Sequence, residues 1–427
     1  MMKRWTFVAL VFFIMAAGLI VAGCSNSKEE ASGPTPGGPV PGVTDTEILL
    51  GTHMPLTQSP AAAWGVVADG MKAYFDYINS QGGVYGRKIK LLVGDDHYSA
   101  PDAVEVVRKL VEQDHVFAIV GGLGDSCHLA VVDYLAEEGV PDLFIGGGMP
   151  EFTDPVVKTR FGMVTDYDTE GKINTDYIKE HFAGKTLGII YEDNQGGRLG
   201  LQRTEEGLAD SDIKIVSEQA YDFANFDLTA QVQRVKAANP DFVYVIGNPG
   251  SLASALKVAR EVLVWDVPFV TSAVSAVEMT ITLAGAANAE GLISFTTGRM
   301  ISETDDPGVQ RNIALMKQFA PNVEPSSLTE YGITTAELVV QALKNAGPNL
   351  TRESVLDGAE QIRGYCCIAC IAPVNLSPTD HRPDEAEWPE QVVDGKWKRM
   401  SDTPVSYEST PSDVTACENG EPVNKGQ

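Results

Sequence analysis

From residue 45 onward, short apolar runs alternate with longer stretches whose apolar positions recur every three or four residues. The runs at 48–52, 89–93, 116–120 and 142–145 read as strands, mostly apolar as parallel strands buried on both faces must be. Between them, 61–79 and 127–138 read as helices. Another opens on Pro101, with Val104, Val107, Leu110 and Val111 at helical spacing. Gly82-Gly83-Val84-Tyr85-Gly86-Arg87 marks a turn. A second series follows Met163, with strands expected at 186–191, 213–218, 242–246, 268–271 and 292–296. Its helices are expected at 200–209, 228–238, 252–261, 310–319 and 327–345. Segments 374–376 and 390–398 read as an antiparallel hairpin of edge strands. Two such series predict an α/β protein of two Rossmann-like parallel-sheet lobes joined by a hinge.

Composition narrows the partners. A formal charge of -26 over 427 residues argues against nucleic acid, whose phosphates such a surface repels. Lys3 and Arg4 precede an apolar stretch at 7–21, the pattern of a secretory signal over 1–23. Val21-Ala22-Gly23-Cys24 resembles the bacterial lipobox, which implies that Cys24 becomes the lipidated first residue of the mature chain. The alternative is an uncleaved membrane helix, for which about 20 apolar residues are needed. Residues 24–44, rich in Gly, Pro and Ser, read as a flexible tether. The lipid would hold the protein on the outer face of the cell membrane, in an oxidising compartment. Residues 401–427 read as a polar, poorly ordered tail.

Candidate chemistry sits in the loops. Ser59-Pro60-Ala61-Ala62-Ala63 leads from the first strand to Trp64 at the head of a helix. In an open α/β sheet, that loop lies where ligands bind. Trp64 is either a pocket wall or a core residue on the helix face. Ser59 offers a hydroxyl. Gly122-x-Gly124-x-x-Cys127 lacks the last glycine of a dinucleotide fingerprint, and no His is placed to activate Ser126, so neither nucleotide cofactor nor enzymatic nucleophile is expected. His128 reads as an exposed first-turn residue. Cys366, Cys367 and Cys370 form C-C-x-x-C, with Cys127 and Cys417 elsewhere. In an exported protein at least one disulfide is expected: Cys366 or Cys367 with Cys370, or a link to Cys417. A zinc site with His381 is a weaker alternative, and no metal is expected.

Several motifs together resemble the leucine/isoleucine/valine-type periplasmic binding proteins, the type I solute-binding proteins of ABC importers. Pro55-Leu56-Thr57 followed by Trp64-Gly65 is similar to that family's first ligand loop. Tyr77-Ile78-Asn79-Ser80-Gln81-Gly82-Gly83-Val84-Tyr85-Gly86-Arg87-Lys88-Ile89 is similar to its "INAxGGVxGRKI" signature. Asp95-Asp96, Ile119-Val120-Gly121-Gly122, Lys236-Ala237-Ala238-Asn239-Pro240-Asp241 and Val393-Asp394-Gly395-Lys396-Trp397 continue the likeness in order. The resemblance spans roughly residues 45–400. It implies a first lobe of 45–165 with 297–364 and a second of 166–296 with 365–400.

It also implies capture of a small molecule between the lobes and delivery to ABC permease subunits, without catalysis or cofactor. A ligand-sensing receptor ectodomain of the same fold is the alternative. Trp64 matches a pocket aromatic. Asp125 and Ser126 match positions where relatives place hydroxyls that receive the ligand carboxylate with helix-terminal N–H groups. Asp125 would instead repel a carboxylate or accept from a ligand N–H or O–H; its alternative role is a helix N-cap. Gly147 and Gly148 bring only backbone groups to the ligand, and Asn248 stands near a pocket tyrosine of relatives. After 268–271, Ser272-Ala273-Val274-Ser275-Ala276 lacks the acid that pairs with an amino acid's ammonium. A carboxylate, amide, aromatic acid or other small polar–apolar ligand is therefore expected at least as much as a standard amino acid.

Overall fold

The computed structural model describes residues 40–401, 404–407, 414–418 and 421–424. The signal segment 1–23, Cys24 and the tether as far as residue 39 lie outside the described residues. The first lobe runs through β1 (Glu47–Met54), α1 (Val66–Ser80), β2 (Lys88–Asp95), α2 (Ala100–Arg108), β3 (Ala118–Val120), α3 (Asp125–Leu129), α4 (Val132–Glu137), β4 (Asp142–Ile145) and β5 (Arg160–Gly162). Its strands form a parallel sheet in the order β2-β1-β3-β4-β5. The second lobe comprises α5 (Tyr167–His181), β6 (Thr186–Glu192), α6 (Gln195–Leu208), β7 (Lys214–Tyr221), α7 (Thr229–Ala237), β8 (Phe242–Ile246), α8 (Pro249–Lys257), β9 (Phe269–Thr271), α9 (Glu278–Ala284), α10 (Ala286–Ala289) and β10 (Ile293–Thr296). The chain then returns to the first lobe as α11 (Pro307–Phe319), α12 (Ser327–Ala346) and α13 (Arg352–Ala359). It finishes on the second sheet with the antiparallel pair β11 (Ala386–Val393) and β12 (Lys396–Arg399), extending the order to β12-β11-β10-β9-β8-β6-β7.

The residues explain these elements. Every residue of β8, Phe-Val-Tyr-Val-Ile, is buried, as a central parallel strand requires, whereas the edge strand β7 alternates between half-buried and exposed positions until Tyr221. The turn signature after α1 serves the fold: the Asn79 amide donates to the Ile89 carbonyl at 2.8 Å and accepts the Ile89 N–H at 2.7 Å, which ties the end of α1 to β2. α1 and α12 cross at glycines. A Cβ on Gly70 would sit 2.2 Å from the Thr329 carbonyl oxygen, and one on Gly332 2.1 Å from that of Val67. Only hydrogen fits at either position, so the two backbones touch and seal the first lobe's core.

Several expectations need correction. The helix expected at 127–138 breaks near Ala130 into α3 and α4. Segment 374–376 is no hairpin strand; Val374 makes only an isolated bridge to Tyr365, and the hairpin is β11 with β12. The first lobe extends beyond the boundary expected at 364. Cys366, Cys367, Cys370, Val374 and Leu376 belong to its core, and the Tyr365 hydroxyl and Ile368 N–H both donate to Glu337 of α12. His381 stacks on Phe161 of β5 at 3.9 Å and donates through Nδ1 to the Arg160 carbonyl. The lobes are thus linked by segments 163–166, 297–299 and 382–385.

The described parts of the tail are tied down as well. β13 (Val405–Ser406) pairs with β11, β14 (Val414–Glu418) pairs with β15 (Glu421–Asn424), and Cys417 is buried in a disulfide to Cys366. Cys367 pairs with Cys370, so among the described residues Cys127 alone is a free thiol. The zinc alternative falls with that pairing: the cysteines it needed are oxidised and His381 is engaged elsewhere.

His128 is not exposed. It is fully buried in a chain running from Asp96 to His53 (2.6 Å), to His128 (2.8 Å), to Asp142 (2.8 Å). A carboxylate only accepts, so the two outer ring nitrogens donate outward to Asp96 and Asp142. Burial holds the His53 imidazole below its ordinary pKa, against the pull of the Asp96 hydrogen bond. The chain joins β1, the loop after β2, α3 and β4 directly beneath Gly122, where a Cβ would meet both rings within 2.6 Å. It thereby fixes the loop that carries Asp125.

Candidate functional site

A cavity of about 360 Å³ lies between the lobes, against the crossing segments and at the carboxyl ends of both sheets. Its walls are set by the loops that leave the strands. The first lobe supplies Trp64 after β1, Tyr98 after β2, Asp125 after β3 and Gly146–Gly148 after β4, together with Glu330 and Tyr331 on α12. The second supplies Glu170 and Asn174 on α5, Glu192 at the end of β6, and Phe223 and Phe226 after β7. The lobes are closed over it. The Tyr98 and Phe223 rings face each other across the gap at 5.2 Å, and the Tyr167 hydroxyl of α5 donates to Asp125 Oδ2 at 2.8 Å.

Asp125 is the first residue of α3, not its N-cap, which is Gly124. Its other oxygen accepts the Gly148 N–H at 3.0 Å. A backbone donor that a ligand carboxylate would use is therefore already filled by a carboxylate of the protein. Burial raises the Asp125 pKa, opposed by the Tyr167 and Gly148 hydrogen bonds. Gly147 and Gly148 do line the cavity, but their lack of a side chain serves the interlobe contact. A Cβ on Gly147 would lie 2.7 Å from Asp125 Oδ1, and one on Gly148 2.4 Å from the Tyr167 ring. Gly196 of α6 closes against the same pair, with 2.9 Å to Asp125 Oδ2.

Ser59 and Ser126 are not on the wall. The Ser59 hydroxyl accepts the Ala61 N–H at 3.1 Å and caps the turn that carries Trp64. Ser126 is exposed, because one residue along a helix turns the side chain by about 100° from the inward direction of Asp125. Asn248 is on the wall, but its carbonyl oxygen caps α8 through the Gly250 and Ser251 N–H groups and its amide donates to Glu192 at 3.0 Å.

Apart from Asp125, the carboxylates of the cavity come from places that local pattern did not mark. The loop after β9 has no acid of its own, yet Glu170 of α5 reaches it and accepts the Ala273 N–H at 2.7 Å. The loop after β9 thus has a carboxylate beside it, supplied by α5 and not by its own sequence. Glu192 accepts from the Tyr221 hydroxyl, the Asn248 amide and the Asn194 amide. Glu330 accepts from Asn312 through Oε1 and leaves Oε2 buried without a partner; burial pushes its carboxyl up to about 8. Burial likewise raises Glu170 and Glu192. Glu170 with Asn174 at i+4 was the one local signal available: a polar pair on the otherwise buried face of a helix. Among the described residues no group of three or more His, Cys, Asp or Glu side chains is arranged to hold a metal, and no helix is long and apolar enough to cross a membrane.

The sequence profile of the family described as periplasmic binding protein matches residues 47–396. The chain belongs to that family. A protein of Pseudomonas aeruginosa named amino acid binding protein is 24% identical over 304 residues, 71% of this chain and 80% of its own length. The fold is similar to that of a fatty acid ABC transporter substrate-binding protein from Thermomonospora curvata, at a TM-score of 0.76 and 21% identity, covering 86% of this chain and 95% of the other. It is equally similar to a branched-chain amino acid ABC transporter protein from Thermus thermophilus with bound valine, at a TM-score of 0.77 and 18% identity, covering 85% and 97%. This periplasmic binding protein therefore has the two-lobed type I fold, binds rather than transforms, and belongs to an extracytoplasmic family.

Proposed function

We propose that the chain captures a small molecule between its lobes and delivers it to the permease of an ABC importer, held to the outer face of the membrane by lipid on Cys24. The observation that carries this reading is the interlobe cavity of about 360 Å³, a volume in the range of small-molecule sites, walled by loops from both sheets and resting on the interlobe crossings. Opening and closing about those crossings would admit and release a ligand. The named relatives, an amino acid binding protein and ABC transporter substrate-binding proteins, are consistent with that role. The alternative of a sensory ectodomain has no specific observation in its favour.

Trp64 supplies the test. It closes one side of the cavity from the turn after β1. Trp64→Ala removes about 2 kcal/mol of apolar contact with an enclosed ligand and should weaken binding at least tenfold. Ligand released from the purified chain would be identified by mass spectrometry and titrated back by calorimetry, with Leu, Val and Phe alongside. Equal affinity of wild type and variant would remove Trp64 from the binding wall. Cys24→Ser should move the protein from the membrane to the soluble fraction.

A further inference from the structure

The polar groups of the cavity are of one sign. Asp125, Glu170, Glu192, Glu330 and Glu387 reach it from five separate elements. Arg299 is the one cation among its lining residues; it is 14% exposed and ion-paired with Asp306 at 3.0 Å and Glu303 at 3.5 Å. No Lys or His lines the wall. Two of the acids are left waiting: Glu330, 3% exposed, has Oε2 without a hydrogen-bond partner, and Glu387, fully buried on β11, has only the Thr165 hydroxyl beside it, in poor hydrogen-bond geometry. The Tyr331 hydroxyl beside Glu330 is also unpartnered. Buried acceptors without donors are unfavourable, so the site is completed by something that donates.

Resting on the capture reading above, we propose that the ligand is an organic cation, an ammonium or amidinium group on an apolar or aromatic body, and that it carries no carboxylate. Three features select it. Glu330 and Glu387 offer acceptors to its N–H groups. Trp64, Tyr98, Phe223 and Tyr331 line the cavity and give it aromatic surface, which suits an apolar or aromatic body and favours a cation over an anion. Asp125 excludes a ligand carboxylate twice over: it holds the Gly148 N–H that such a group would use, and its charge repels it. A fatty acid or aromatic acid would meet the remaining carboxylates without a free positive group to offset them. An inorganic ion does not fit, since the acids do not converge on a point among the described residues. Burial raises Asp125, Glu170, Glu192 and Glu330 alike, as expected of acids held together without their counter-charge.

The test is a matched set titrated calorimetrically into the full chain: phenethylammonium, phenylalanine and 3-phenylpropionate, which share a ring and differ in charge. Phenethylammonium should bind at least 100-fold tighter than 3-phenylpropionate and at least tenfold tighter than phenylalanine. Glu330→Gln should weaken phenethylammonium at least tenfold. Asp125→Ser should free the Gly148 N–H and strengthen phenylalanine at least tenfold, a gain that a misfolded variant cannot mimic. Equal or tighter binding of phenylalanine or 3-phenylpropionate by the wild type overturns the cation assignment and leaves capture standing. If none of the three binds, native mass spectrometry of the purified chain decides: a retained organic cation supports the assignment, a retained acid or amino acid overturns it alone, and an empty cavity overturns it together with the capture reading.

Discussion

The disulfide between Cys366 and Cys417 closes a loop across 51 positions, and its removal has a calculable effect. Opening a loop of that length restores chain entropy to the unfolded state worth about 4 kcal/mol, whereas the four-residue ring of Cys367 and Cys370 is worth only about 2 kcal/mol. Both larger-loop cysteines are buried, at 8% and 3% exposure, so Cys366→Ala with Cys417→Ala is the right perturbation; serines would bury two hydroxyls and confound the result. The tail also touches the hinge, since the Cys417 carbonyl accepts from Arg299 and its N–H donates to Ile371. Urea unfolding of wild type and the double variant, followed by tryptophan fluorescence, should show a loss of 3–4 kcal/mol by this estimate. The loss should fall in the transition that melts the first lobe, whose core contains both cysteines. Dithiothreitol, which also opens Cys367–Cys370, should bring the wild type and the double variant to a common, lower midpoint. A loss below about 1 kcal/mol, or one matched by Cys367→Ala with Cys370→Ala, would refute the loop-entropy argument.

Two other outcomes follow from buried groups. Glu390 of β11 is 1% exposed, and burial, reinforced by Glu303, raises its carboxyl from 4.5 to about 8. The folded state thus binds a proton that the unfolded chain has lost, so this contribution is full below pH 4.5 and disappears as pH rises through about 8. Glu390→Gln should be near neutral at pH 4.5 and stabilise on the order of 4 kcal/mol at pH 8, read by urea midpoints at the two pH values; a pH-independent difference would contradict it. Gly332→Ala should destabilise by about 1–3 kcal/mol because its Cβ meets the α1 backbone, although alanine alone would favour the helix by about 1 kcal/mol. A stabilised variant in thermal or urea unfolding would mean that the α1–α12 crossing relaxes freely.

Most strands and helices were legible before the fold was known. β4 and β8 match their apolar runs end to end, and α12 differs from its expected span by one residue, because each buries a continuous face that local periodicity reports. Short elements escaped: β5 has three residues, and α3 and α4 merge in sequence because nothing polar separates them. Of the candidate site, Trp64, Asp125, Gly147, Gly148 and Asn248 lie on the cavity wall, whereas Ser59 and Ser126 serve as a cap and an exposed helix position.

The sequence by itself determined the two α/β series, the motifs that mark the family and the loops in which a ligand cleft forms, since these depend on residues near one another in the chain. Tertiary structure alone decided the cleft's electrostatic character. Asp125, which its own loop marked, meets Glu170, Glu192, Glu330 and Glu387 across more than 260 residues of chain, and those four look unremarkable in their own segments. So does His128, which only a partner 75 residues away turns from an expected surface position into the middle of a buried chain. Charge acts through distance in space and through the loss of water, and neither is written in sequence spacing.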